Sequence, residues 1–293
     1  MRLALAAAGA AVVLLAGCGG SESDPLADDH SAPLALERGG QTERDGARVQ
    51  EISYASGDDR VEGYLVTPPD TAEELPAVVF LHGSGGDRSE QLDTAVALAK
   101  RGAIAMTITA PSTGKTAPPG ATGEELVRWQ GATLAADVVA ARRAFDVLAG
   151  DDRVDDERLG LVGWSMGGRL ASIVAGVDDR VRATVLMSVG AAPVEAYVQN
   201  APAELQDVVR QALEPIDPLT HVGDAKGAIL VQAGRQDSIV PRAALEAVID
   251  AAPQGTKVEW YPTDHALNEQ AQTDRRTVRN DGHLRRIDGV SVN

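Results

Sequence analysis

Cysteine is almost missing from this chain. Among 293 residues there is one, Cys18, so the sequence offers neither an internal disulfide framework nor a cysteine-built zinc cluster. Aromatic residues make up only 3%, which leaves Val, Leu, Ile and Ala to build the core. Basic residues are outnumbered, with 27 Lys and Arg against 43 Asp and Glu and a net charge of −16. That balance excludes the basic footprint of a nucleic-acid binder. No phosphate loop and no cluster of metal ligands is present, so neither a cofactor nor a metal is expected. At 44% hydrophobic and 24% charged, the chain has the composition of a globular protein.

The first residues, MRLALAAAGAAVVLLAGCGG, join Arg2 to an apolar run, Leu3 to Ala16. The run is shorter than a membrane span of about 20 residues and has the layout of an export signal. It ends in Leu15-Ala16-Gly17-Cys18, which resembles the bacterial lipoprotein box. The resemblance implies a signal peptide over residues 1–17, lipidation of Cys18 and a body held at a membrane surface outside the cytoplasm. Residues 18–46, rich in Gly, Ser, Asp, Glu and Pro, then read as a flexible tether in which His30 is solvated. The catalytic body is expected over residues 47–293.

Within that body strand and helix patterns alternate. Arg48–Tyr54 and Val61–Val66 flank a turn signal at Gly57-Asp58-Asp59. The short apolar runs Ala77–Leu81, Ala103–Thr109, Leu159–Gly163, Thr184–Val189, Ala228–Ala233 and Val258–Tyr261 read as strands buried on both faces. Leu134, Val138, Ala141, Phe145 and Leu148 lie on one face of a long helix. Repeated βαβ units after an opening hairpin give an α/β fold, a mostly parallel doubly wound sheet of about eight strands with helices on both faces. Sites in such sheets lie at the carboxyl ends of the strands. Residues 191–225 form an insert expected to make a small helical cap.

The carboxyl ends carry a hydrolytic set. Leu159–Gly163 runs straight into Gly163-Trp164-Ser165-Met166-Gly167, a G-x-S-x-G on a strand-to-helix turn that exposes the Ser165 hydroxyl. A neutral hydroxyl needs a base, and His265 follows the last strand. The base needs a carboxylate to fix its tautomer. Asp237, beyond Ala228–Ala233, is preferred over Asp264, which adjoins His265. An oxyanion needs donors, here the backbone N–H groups of Met166 and of Ser84 in His82-Gly83-Ser84-Gly85-Gly86. The His82 ring is assigned to holding that loop. His221 is taken as an exposed loop residue and His283 as a surface residue. Trp164 shapes the acyl site or packs under the cap. Tyr197, with Val198, Leu205, Val208 and Leu213, lines the pocket or packs on the sheet, and Trp129 belongs to the core.

Together LHGSGG, GWSMGG, GRQDSIVP and DHALN, in that order, resemble the α/β-hydrolase superfamily, in the style of its dienelactone-hydrolase and prolyl-oligopeptidase-like branch. The resemblance implies the α/β-hydrolase fold and a small-molecule acyl substrate, an ester, lactone, thioester or peptide, cleaved without a cofactor through an acyl-enzyme. Position 165 departs from it, because dienelactone hydrolases carry Cys as nucleophile. Carboxylic ester hydrolysis is the leading reading. Acyl transfer, thioesterase and peptidase chemistry on the same triad, and a non-catalytic binding lipoprotein, stand as alternatives.

Overall fold

The computed structural model describes residues 24–27, 30–69, 73–267 and 271 of the chain. Cys18 and His283 lie outside the described residues. Nine strands form one sheet: β1 (Glu37–Arg44), β2 (Ala47–Ser56), β3 (Asp59–Thr67), β4 (Leu75–Leu81), β5 (Ile104–Ile108), β6 (Val154–Trp164), β7 (Val181–Met187), β8 (Ala228–Gly234) and β9 (Lys257–Tyr261). Their order is β1-β2-β3-β5-β4-β6-β7-β8-β9. The first three pair antiparallel and β3 meets β5 antiparallel; from β5 to β9 every pairing is parallel. This is the expected α/β-hydrolase architecture with one more strand than foreseen.

The central parallel strands β4 and β5 are apolar and buried because both faces are covered, while β9 at the edge carries Lys257 and Glu259. Successive side chains alternate between faces, so Val78 and Phe80 pack with α1 (Leu92–Ala99), while Val79 and Leu81 pack on the opposite side. That second layer holds α2 (Gly123–Ala149), α3 (Met166–Val177) and α7 (Arg242–Ala251). In α2, Val138, Ala141, Phe145 and Leu148 are fully buried, as their spacing foretold. The insert folds as α4 (Val194–Asn200), α5 (Gln206–Leu213) and α6 (Pro218–Val222), with 3-10 turns between them. His221 is therefore not a loop residue. It lies in α6, half-buried, with Nε2 2.8 Å from the Pro215 carbonyl.

The tether reading needs correction. Its part Glu37–Arg44 is β1, joined to β2 by Asp45-Gly46, both at positive φ (51° and 82°). The two-residue turn with Gly second suits a hairpin. Upstream, Leu26 is 3% exposed and belongs to the core. His30 is half-exposed but paired, its Nδ1 2.9 Å from Asp146 Oδ1. Arg143 donates to the Ala32 carbonyl at 2.7 Å. A few apolar anchors and arginine–carbonyl bonds thus hold a segment whose composition suggested freedom.

Candidate active site

β6 ends at Trp164 and α3 begins at Met166, so Ser165 alone makes the turn. Its φ is 55° and its ψ −112°, a conformation a non-glycine residue holds only under constraint. The flanking glycines make that turn fit. A Cβ on Gly163 would lie 2.1 Å from the Gly167 carbonyl oxygen, and one on Gly167 2.3 Å from that of Leu81. The Ser165 N–H donates to the Met187 carbonyl at 2.8 Å, and its own carbonyl accepts from Arg169 N at 3.2 Å.

Asp237 follows β8 in a tight turn. Its Oδ1 accepts the N–H groups of Ile239 (2.8 Å) and Val240 (3.0 Å), leaving Oδ2 for His265 Nδ1 at 2.8 Å. Burial pushes the Asp237 carboxyl up, but the Val240 amide, the His265 ring and the Ile239 amide outweigh it and hold the group below the usual carboxylate range. An ionised Asp237 accepts from Nδ1–H, so Nε2 of His265 stands outside this pair. Asp264 turns elsewhere and accepts Ala266 N at 3.1 Å. Among the described residues the Ser165 hydroxyl has no hydrogen-bond partner. Catalytic hydrogen bonds often close only around substrate.

The His265 backbone is fixed by two side chains. Trp164 Nε1 donates to its carbonyl at 3.0 Å and Ser188 Oγ at 2.7 Å. The Trp164 and His265 rings lie 5.4 Å apart, tilted by 44°. On its other side Trp164 packs so closely on Gly83 that a Cβ there would lie 2.7 Å from the indole. Trp164 therefore braces the His265 loop against the loop after β4. It is absent from the lining of the cavity described below.

The loop after β4 carries Ser84. His82 is buried, its Nε2 accepts the Ala110 N–H at 2.9 Å, and its Nδ1 donates to the Gly83 carbonyl at 2.7 Å. Glu90 Oε2 accepts Gly83 N at 2.7 Å. Among the described residues neither Ser84 N nor Met166 N meets an acceptor. Met166 N also belongs to the first turn of α3, whose donors lack partners within the helix.

Under the cap lies a cavity of about 360 Å³. Its walls include Trp129, Leu134, Tyr197 and Leu213, with Ser112 and Arg169 among the polar groups. Ser165, Asp237 and His265 are not in its lining; it opens one turn further along α3. Tyr197 and Leu213 thus face the cavity, Val198 and Val208 are buried, and Leu205 packs beside Gly123. Trp129 is half-buried on the cavity wall and outside the core. Sequence reasoning missed Ser188 and Glu90. Ser188 carried one signal, its place just beyond the carboxyl end of β7; Glu90 carried none, because only the folded loop brings it back to Gly83. Among the described residues no group of His, Cys, Asp and Glu is arranged to hold a metal ion, and no helix is long and apolar enough to cross a membrane.

Residues 61–286 match the dienelactone hydrolase family. The chain belongs to that family. An uncharacterized protein of Mycobacterium tuberculosis is 31% identical over 187 residues, 64% of this chain and 61% of its own; the match thus spans about three fifths of the length of that curated relative. The fold resembles that of the acetyl xylan esterase from Paenibacillus sp. R4, with TM-score 0.69 and 19% identity over 83% of this chain and 87% of that one. It also resembles Est1E from Butyrivibrio proteoclasticus, solved with ferulic acid, with TM-score 0.60 and 19% identity over 75% and 94% of the chains.

Proposed function

We propose that this family member is a serine esterase that cleaves a carboxylic ester through an acyl-enzyme, with Ser165 as nucleophile, His265 as base and Asp237 as its partner. The observation that carries the reading is the 2.8 Å bond from His265 Nδ1 to Asp237 Oδ2, which leaves the far ring nitrogen outside the pair, at the same sheet edge as the strained Ser165. His265 Nε2 takes the hydroxyl proton as Ser165 Oγ attacks the ester carbonyl, and Asp237 stabilises the imidazolium. The Ser84 and Met166 amides receive the oxyanion. His265 returns the proton to the departing alcohol, then activates water to release the acid. The esterase neighbours and the family support ester chemistry over other acyl substrates.

The test is turnover of p-nitrophenyl esters of graded chain length together with labelling by a fluorophosphonate probe. Ser165→Ala is expected to lose both, with turnover down by about 10⁴-fold or more. Wild-type protein that neither turns over ester nor takes the probe, or a Ser165→Ala protein that still hydrolyses ester, defeats the assignment. We also propose that the chain is exported and anchored at a membrane surface through lipid on Cys18, read out by partition of the full chain between detergent and aqueous phases.

A further inference from the structure

The segment that follows β7 takes no part in the proposed chemistry, yet it touches the support of all three proposed catalytic residues. Trp164 of β6 stands beside Met187 of β7 in the sheet register, so the chain leaves both strands at one height, at Ser165 and at Ser188. The peptide unit between Met187 and Ser188 faces two ways. Its carbonyl accepts the Ser165 N–H and its N–H donates to the Gln232 carbonyl of β8, each at 2.8 Å. The Ser188 hydroxyl donates to the His265 carbonyl at 2.7 Å. Two residues on, Gly190 packs so closely that a Cβ there would lie 2.4 Å from Val240 Cγ1, and the Val240 amide is one of the two that hold Asp237.

Ser188 also sits in a conformation that disfavours its own side chain. Among the described residues five that are not glycine have positive φ: Ala35, Asp45, Ser165, Ser188 and Leu267. The first two belong to the N-terminal segment. The others are the nucleophile, a residue two positions beyond the base, and Ser188 between them. At the 46° of Ser188 glycine is the residue without steric penalty, and glycine would keep both bonds of the peptide unit. Only the hydroxyl would go. The hydroxyl is not needed to rescue an orphaned acceptor, because Trp164 Nε1 already donates to the same His265 carbonyl at 3.0 Å. Its effect is a second donor on one oxygen, which fixes the direction of that carbonyl as well as its reach. Strain of this kind persists where surrounding structure over-determines it, and it clusters at functional sites. We propose that Ser188 is a positioning residue that sets where His265 stands relative to Ser165, with its backbone tied to the nucleophile turn and its side chain to the base. The catalytic consequence rests on the serine-esterase reading; the hold of Ser188 on the His265 loop does not.

The test compares the wild type with Ser188→Gly, Ser188→Ala and Ser188→Cys in turnover of p-nitrophenyl butyrate per folded molecule, in thermal unfolding and in amide hydrogen exchange of residues 263–267. Ser188→Gly is expected to lower kcat about 10- to 100-fold, the scale of a misplaced catalytic group, with KM changed by no more than about twofold. Its thermal midpoint stays close to that of the wild type, since relieved strain offsets the added freedom of the unfolded chain. Ser188→Ala, which keeps the strain and loses the donor, lowers kcat as far, and Ser188→Cys, with a weaker donor, retains more. Exchange at residues 263–267 quickens in Ser188→Gly and Ser188→Ala. Ser188→Cys, nearest in size to the wild type, carries the comparison where a smaller side chain prevents folding. A wild type that turns over ester, with kcat unmoved in the folded variants, overturns the positioning role and leaves the esterase standing. Faster exchange in the variants of a protein that turns over no ester defeats the esterase reading and keeps Ser188 as the support of the His265 loop. Neither turnover nor a change in exchange overturns both.

Discussion

On α2, Asp137 carries a carboxyl into a space 1% open to solvent. Its Oδ1 accepts Ser112 N at 2.8 Å, while its Oδ2 is buried with no partner. Burial pushes the group up from the usual carboxylate range, and the Ser112 bonds only partly offset this. Because the folded pKa lies above the unfolded one, the native state keeps a proton that the unfolded chain has lost. Stability therefore falls as pH rises from about 4, the unfolded value, through the folded pKa. Asp137→Asn, neutral at every pH, is expected to be more stable than the wild type at pH 7, by on the order of 1 kcal/mol, with no gain at pH 3. Urea unfolding at both pH values checks this; a less stable variant at pH 7 would show that the charge is compensated. Asp237 has the opposite sign, since its carboxyl is held down, and its contribution is lost on acidification. The position of Asp237 after a strand was readable from spacing alone. That Asp137 is stranded was not, because only the packing of α2 against the loop after β5 removes its water.

At the scale of elements, the elbow was legible because its glycines are short-range requirements: the close approaches of Gly163 and Gly167 follow from a one-residue turn. The cap insert was legible as an insert, and its docking was not. Gly131, in the middle of α2, lies where a Cβ would be 2.7 Å from the Ala212 carbonyl of α5 and 3.0 Å from its Cβ. In an isolated helix Gly→Ala stabilises by up to about 1 kcal/mol. Here we expect Gly131→Ala to push α5 away from α2 and lower stability by about 1–3 kcal/mol, the range for overpacking. A rise in the thermal midpoint would show that α5 yields freely. The missed strand β1 has the reverse explanation. Its residues, ERGGQTER, are exposed along their whole length, so no apolar alternation marks them. Pairing with β2 and the Asp45-Gly46 turn make the strand, and a charged, bulged edge such as this one resists pairing with other chains.

For the whole molecule, the acidic excess is partly gathered where the N-terminal segment docks. Asp146 binds His30, Arg143 and Arg180, and Asp178 binds Arg180. Burial would raise the Asp178 carboxyl, but the hydrogen bonds and charge of Arg180 and the charge of Arg142 hold it below the usual range. Its stabilisation is present above about pH 4 and is lost as pH falls through the lowered folded pKa. The full chain is expected to enter the detergent phase when made in a bacterial host that processes lipoproteins, and Cys18→Ser to stay in the aqueous phase with its ester turnover intact. A Cys18→Ser protein that partitions like the wild type removes the anchor.

The alternation of strand and helix from β2 onward and the glycine-flanked turn at Ser165 were present in the linear chain, because each depends on residues within a few positions of one another. Who faces whom was decided only on folding. Trp164 bridges Gly83 and His265, Glu90 returns to the loop after β4, and helices of a distant insert supply one wall of the cavity that Trp129 and Leu134 of α2 line. These relations join segments far apart in sequence, and their energies come from excluding water, which no local pattern records.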